Sequence, residues 1–289
     1  MTPTLRPAAA RRPAAGVLAT LLCLAALAAC EKGGPQDITA AAPGARVKFF
    51  NFGVNAPSVN FYANDAKVTA ISSTSCTPLP TPPADSLCKA GGVESTNGTA
   101  YGSAAVGGFY VGLAPGQYTF TGRITAATDN GLAIASLPAS VADGKNYSVY
   151  LSGFYDAAAK KADGFVVEDA YPDRIAYDSV YLRFVNASPN AGPLTLFFRA
   201  PGATGVGTQV STPVAYKGAG NFLVFALPPG IVGAVDLVAR TAGSTADAIT
   251  NAGVTLSPGR VYTVTARGDI TVTSSTAANR PQLDNTANR

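Results

Sequence analysis

The chain has 289 residues, of which 47% are hydrophobic and only 13% are charged, and its formal net charge is +4. This length is comfortable for two domains, and 30 Gly and 21 Pro among many Thr, Val, Tyr and Phe favour strands broken by turns over helices. Because Arg6, Arg11 and Arg12 lie in a segment that we expect to be removed, the remainder is almost neutral without a basic cluster, which excludes charge-driven nucleic-acid binding.

Residues 1–29 have the pattern of an export signal. The three arginines precede an apolar run at 16–29, which ends in small residues. A helix that crosses a bilayer needs ~20 apolar residues, so this run is short for a transmembrane anchor. We therefore expect residues 1–29 to be cleaved.

The apolar run ends in Leu27, Ala28, Ala29 and Cys30. This motif resembles the lipobox of bacterial lipoproteins, and the resemblance implies that Cys30 is acylated (diacylglycerol and an amide-linked chain such as palmitate) and becomes the first mature residue. Several acyl chains hold a protein stably on a membrane. Glu31 in place of Asp favours the outer membrane. The alternative is an ordinary secretory signal with an incidental cysteine. Residues 30–45 have no strand or helix period and predict a flexible linker.

Two segments of the chain resemble each other. Residues 47–63 (VKFFNFGVNAPSVNFYA) align with 182–198 (LRFVNASPNAGPLTLFF), so that Lys48 corresponds to Arg183 and Asn51 to Asn186. Downstream, LAPG at 113–116 corresponds to LPPG at 227–230, and 143–153 corresponds to 258–268. Their order and spacing predict an internal repeat.

The repeat predicts two all-β domains. Short segments with period-two alternation, separated by Pro and Gly, are typical of sandwiches, and we expect tandem immunoglobulin-like β-sandwiches at 46–170 and 179–273. In the second copy, strands are predicted near 179–186, 193–199, 207–216, 221–226, 231–240, 247–256 and 260–267. We expect the joining residues 154–178 to contain a closing strand at 165–168, and the polar tail 274–289 to be disordered.

The first copy contains about twenty more residues than the second, between 63 and 101, as the change in alignment offset indicates. This interval holds a Pro-rich stretch with Cys76 and Cys88 at its ends. In an exported protein that pattern predicts a disulfide-closed loop. Two free cysteines are the alternative.

The segments RFVNASPNAGPLTLFF, PPG and GRVYTVTARG together resemble a bacterial family of domains of unknown function. The family occurs, often in tandem, in secreted and lipid-anchored envelope proteins. The resemblance covers residues 46–269 and is weaker in the first copy, where Gly53 and Val54 replace Ser and Pro. It implies a sandwich at the cell envelope and supplies no catalytic residues.

The chain lacks the usual catalytic residues. It has no histidine, which removes the most common general base and most zinc sites, and it has no nucleophile elbow, phosphate loop or dinucleotide motif. We predict no enzyme, metal or cofactor. A calcium site at Glu168, Asp169, Asp173 and Asp178 is a weaker alternative to four acids in a solvated linker.

Three hypotheses follow. The first is a noncatalytic envelope lipoprotein with a structural or adhesive role, held to the membrane by its lipid. The second is a glycan- or protein-binding lipoprotein that uses the loop between Cys76 and Cys88, or a platform of Tyr147, Tyr150 and Tyr155. For Tyr147 and its counterpart Tyr262, however, we favour a packed ring with a hydrogen-bonded hydroxyl over a ligand platform. The third is an envelope hydrolase, which the missing motifs disfavour.

Overall fold

A computed structural model describes residues 43–69, 98–126, 128–226 and 234–289. Within it, Pro43–Arg289 is one compact unit. The described strands form four sheets arranged in two pairs, which we call the first and second sheet pairs. The predicted all-β architecture is confirmed.

The first sheet pair is built from the first half of the described chain. Its strands are β1 (Ala45–Asn51), β2 (Val59–Ala63), β3 (Ala66–Lys67), β4 (Ser103–Ala104), β5 (Val111–Leu113), β6 (Gly116–Ile124), β7 (Ala133–Val141), β8 (Asn146–Asp156) and β9 (Lys161–Glu168). One sheet has the order β4-β1-β8-β9, with β5 also on β1, and the other has the order β3-β2-β6-β7. Val47, Phe49, Phe61, Phe120 and Val149 fill the core between them.

The second sheet pair has β10 (Ser179–Asn186), β11 (Leu194–Arg199), β12 (Thr208–Gln209), β13 (Leu223–Ala226), β14 (Ala234–Thr241), β15 (Ile249–Thr255), β16 (Arg260–Arg267) and β17 (Gln282–Ala287). Its sheets have the orders β13-β10-β16-β17 and β12-β11-β14-β15. Leu182, Phe184, Leu196, Leu237 and Val264 lie in its core. The strands predicted at 179–186 and 260–267 coincide with β10 and β16, whereas only two residues of the predicted 207–216 are a strand.

Both pairs connect their strands in the same way. β1 lies parallel to β8, and β10 lies parallel to β16. The Asn51 side chain donates to the carbonyls of Pro57 and Thr99, and the Asn186 side chain donates to those of Gly192 and Val214. The aligned asparagines therefore have the same role, which is to hold the chain that leaves the first strand.

The predicted disorder of residues 274–289 is wrong. β17 lies in this tail and pairs antiparallel with β16 from Arg267 to Tyr262. Leu283 is 3% exposed in the second core. β17 lies beside β16 as β9 lies beside β8. The last strand of this sheet is therefore formed by a polar sequence in which Leu283 is the buried residue.

Candidate functional site between the two sheet pairs

The sheets that contain β1 and β10 face each other, and we call them the central sheets. Side chains that alternate with the core residues point out of each central sheet into a shared surface. Phe50, Phe52, Tyr150 and Phe165 from the first pair form a buried cluster with Val185 and Ala187 from the second. The two pairs are therefore packed together across a buried apolar cluster.

Stacked rings form the first pair's side of this contact. The Tyr150 ring stacks on Phe50 with centroids 4.7 Å apart and on Phe165 at 4.9 Å. Offset stacking contributes beyond the apolar area that it buries. Tyr150 is fully buried, so the hypothetical tyrosine platform for a ligand is wrong at this residue. Tyr147 instead accepts a hydrogen bond from Ala142 N at 3.1 Å, as predicted, and Tyr262 accepts one from Ser257 N.

Beside the rings lies a buried ion pair between Asp169, just after β9, and Arg183 on β10. Their side chains are 0% and 2% exposed. The second carboxylate oxygen of Asp169 accepts from Tyr110 Oη at 2.7 Å and Ser148 Oγ at 2.8 Å. Arg183 also donates to the Glu168 carbonyl at 2.8 Å. Both charges are thus paired and hydrogen-bonded, as burial requires.

This ion pair corrects the expectation of four solvated acids at Asp169 alone, because Glu168, Asp173 and Asp178 are exposed. Asp169 is buried, Glu168 pairs with Lys145 at 3.1 Å, and Asp178 accepts from the Ser179 hydroxyl. Among the described residues, no three acids or cysteines lie close enough together to hold a metal ion. The arrangement therefore gives the calcium alternative no support.

A second buried cation, Lys48 on β1, lies at the wall of a cleft between the sheet pairs. The cleft has a volume of about 700 Å³ and lies between the segment 103–110 and the residues from Asn285 to Arg289. Lys48 Nζ donates to the Ala287 carbonyl and to Asn288 Oδ1, and it lies 4.3 Å from the centroid of the Tyr110 ring. Burial lowers the pKa of Lys48 to about 8, and the nearby charge of Asp169 opposes this effect.

The opposite margin of the contact is polar. Ser152 Oγ and Tyr216 Oη lie 3.0 Å apart, and Lys217 pairs with Asp163 at 2.5 Å. Arg267 on β16 pairs with Asp284 and lies 5.4 Å from the ring of Phe52 in the first pair. Polar groups thus lie on both sides of the apolar cluster, which is the usual organisation of a protein interface.

Several predicted site residues lie outside the described residues. They are Cys30, Cys76 and Cys88, together with the second-copy turn at 227–230. Acylation of Cys30 and pairing of Cys76 with Cys88 stay predictions.

The family of a domain of unknown function, DUF4397, matches residues 45–197. The chain belongs to this family. The DUF4397 match covers the whole first sheet pair and continues through β10 into β11.

Among solved structures, the crystal structure of the human-specific toxin intermedilysin matches with a TM-score of 0.20 and 11% identity, covering 65% of the DUF4397 chain and 33% of the toxin. The chain thus spans about a third of the toxin's length, and a likeness this weak supports no argument. No curated protein matches the sequence. Helices long and apolar enough to cross a membrane are absent from the part of the chain that the structure describes.

Sequence analysis missed the buried charges of this DUF4397 protein. Lys48 and Arg183 were aligned with each other, but their burial was not predicted. The available signal was a basic residue at the same position of two otherwise apolar strands, VKFF and LRFV. A charge there is expected to be paired, but the sequence does not identify Asp169 as the partner of Arg183.

Proposed function

We propose that this chain is a noncatalytic, lipid-anchored protein of the bacterial cell envelope with a structural or adhesive role. It presents two copies of the DUF4397 domain, joined through their central sheets into one rigid body. The observation that carries the proposal is the buried contact of Phe50, Tyr150 and Val185 beside the Asp169–Arg183 ion pair. Domains that are only strung along a linker do not need such a surface.

Equivalent contacts support the assignment of two copies. The parallel pairing of β1 with β8 recurs in β10 with β16. Asn51 and Asn186 each hold two carbonyls in the same places, and Tyr147 and Tyr262 each accept from the backbone five residues upstream. Duplication of one domain accounts for all of these pairs.

The chemistry of the contact supports a role without catalysis. The polar groups of Asp169 and Arg183 are bonded to protein partners and are closed to solvent. Histidine is absent from the sequence, so the usual proton-transfer group is missing. A surface of this kind holds two domains together, and the charges of Asp169 and Arg183 are not available to a substrate.

Attachment to the membrane rests on the residues Leu27, Ala28, Ala29 and Cys30. An acylated Cys30 would tether the mature chain to the outer membrane, with residues 30–45 as the spacer. The partner in this proposal is the lipid bilayer, and an envelope protein or glycan is the candidate for adhesion.

Fractionation of bacteria tests the anchor. Cys30→Ala should move the protein out of the membrane fraction and abolish incorporation of a labelled fatty acid. Cys23→Ala, which changes the other cysteine of the leader, should leave both unchanged. Membrane retention and labelling in the Cys30→Ala variant would refute the proposed tether.

The second candidate is a binding lipoprotein that uses the loop 76–88. It is favoured by the two cysteines at the ends of an insertion that the second copy lacks. Deletion of residues 77–87 should then abolish binding of the protein to isolated cell-wall glycan. Unchanged binding by the deletion variant would exclude the loop as the site.

A further inference from the structure

Lys48 and Asn288 meet in a buried position where the two sheet pairs join. Lys48 Nζ donates to Asn288 Oδ1 at 3.2 Å, although the residues are 240 positions apart in the sequence. Lys48 is 1% exposed and Asn288 is 9% exposed. The fold therefore holds a largely buried amine against a side-chain amide at the wall of the cleft.

The surroundings of Lys48 raise the fraction of its neutral amine, although the ammonium form still predominates at pH 7. Burial lowers its pKa to about 8, and the positive charge of Arg183 acts in the same direction. Asp169 is already paired with Arg183 and accepts from Tyr110 and Ser148, so its charge is shared among other donors. A neutral amine is the nucleophilic form of lysine.

The amide is also held in place. Asn288 Nδ2 donates to Thr263 Oγ1 at 2.8 Å, while its oxygen accepts from Lys48. Thr263 is 1% exposed and also accepts from Arg183 Nε at 3.1 Å. The Thr263 oxygen accepts both hydrogen bonds and so fixes the orientation of the Asn288 amide.

We propose that Lys48 and Asn288 form an intramolecular isopeptide bond. The lone pair of Lys48 Nζ attacks Asn288 Cγ, the Nζ–Cγ bond forms, and the Cγ–Nδ2 bond breaks. One proton of the amine passes to the departing nitrogen, and ammonia leaves. The products are a neutral secondary amide and ammonia, and the step needs no oxidant or other reactant.

The reaction is favoured by the burial of Lys48. An ammonium group in this position loses its hydration and gains only partial compensation. Conversion into an amide removes that charge. The bond ties β1 of the first sheet pair to the residue that follows β17 of the second. It goes beyond the proposed function and does not depend on the lipid anchor.

Peptide mass spectrometry tests the bond in the full chain. The protein is extracted from membranes in detergent, denatured and digested with trypsin, which does not cleave after an acylated lysine. The Arg280–Pro281 bond also resists trypsin, so the expected product is a branched peptide of residues 47–67 and 268–289. Its mass should equal the sum of the two peptides minus one ammonia. Complete cleavage after Lys48 with recovery of unmodified 268–289 would overturn the proposal.

Three variants sharpen the test. Lys48→Arg keeps a buried cation but should abolish the branched peptide, and Asn288→Ala should abolish it as well. Asn285→Ala changes another asparagine that lines the same cleft and should retain the branched peptide. A branched species of the same mass in Asn288→Ala would contradict the assignment. If a variant fails to fold, the wild-type digest alone decides the matter.

Discussion

Lys48 and Arg183 occupy corresponding positions on β1 and β10, and both side chains are buried in the contact between the two sheet pairs. Lys48 is 1% exposed and Arg183 is 2% exposed. Their environments differ: Arg183 is paired with Asp169, whereas Lys48 contacts the Ala287 carbonyl, the Asn288 side chain and the Tyr110 ring. A feature shared by two similar strands has thus become two different polar contacts across one interface.

Removal of the Asp169 charge should strongly destabilise the protein. Asp169→Asn leaves Arg183 buried without a counter-ion, and breaking one partner of a buried pair costs about 3–5 kcal/mol. Glu168→Gln is the matched control, because its pairing with Lys145 is solvent-exposed and such pairs contribute only about 0–1 kcal/mol. Urea denaturation measures both. Equal, small effects would show that the ion pair does not support the interface.

The aromatic cluster should contribute to the stability of the protein through the packing of its rings. Phe50→Ala removes a ring that stacks on Tyr150 at 4.7 Å, and substitutions of this kind cost about 3–5 kcal/mol in a core. Phe109→Ala removes a ring that is 73% exposed and should change stability by no more than about 0.5 kcal/mol. Thermal unfolding of both variants checks the difference. A Phe50→Ala protein as stable as wild type would be incompatible with a packed interface.

Because β17 lies in the tail and buries Leu283, this side chain should contribute to the stability of the protein. Leu283→Ala opens a cavity in the second core and should cost about 2–5 kcal/mol. Ser275→Ala, in an exposed part of the same tail, should have almost no effect. Chemical denaturation of the two variants provides the measurement. If both substitutions left the stability unchanged, the result would contradict a packed tail and would support the sequence-based expectation that residues 274–289 are disordered.

Alkaline pH should destabilise the interface through its buried tyrosines. Burial raises the pKa of Tyr110 and of Tyr150, so their folded-state pKa values exceed the unfolded value of about 10. Below about pH 10, both tyrosines are protonated in the folded and the unfolded chain, and their contribution to the stability of the protein is fully present. Above that pH the unfolded chain loses phenolic protons first, so the free energy of unfolding falls as the pH rises. Urea midpoints at increasing pH should decrease, and less so in Tyr110→Phe. Parallel pH profiles for wild type and Tyr110→Phe would contradict this account.

Much of the fold could be predicted from local patterns. Alternating apolar residues and Gly–Pro turns located β10 and β16, since each strand has one face in a core. The alignment of Tyr147 with Tyr262 correctly indicated a shared hydrogen bond. β17 was missed because its sequence, QLDNTA, has only Leu283 to bury and owes its conformation to pairing with β16.

The candidate site was predictable only in part. The contact between sheet pairs depends on the outward-facing residues of strands whose outer faces mix apolar and polar side chains, and such a pattern does not reveal that this face meets another domain. Asp169 was assigned to a solvated linker, because its burial depends on Arg183 in the following strand. Pairings of this kind are set by tertiary structure, which one sequence does not show.

The central claim is that the two sheet pairs form one cooperative body. Native-state hydrogen exchange in low denaturant tests it most directly, by comparing the amides of Val149 on β8 and Val264 on β16. The account predicts that both amides exchange through the same global opening, with equal free energies and equal denaturant dependence, and that Asp169→Asn lowers both equally. Exchange of one core while the other stays protected, with Asp169→Asn affecting neither, would contradict it.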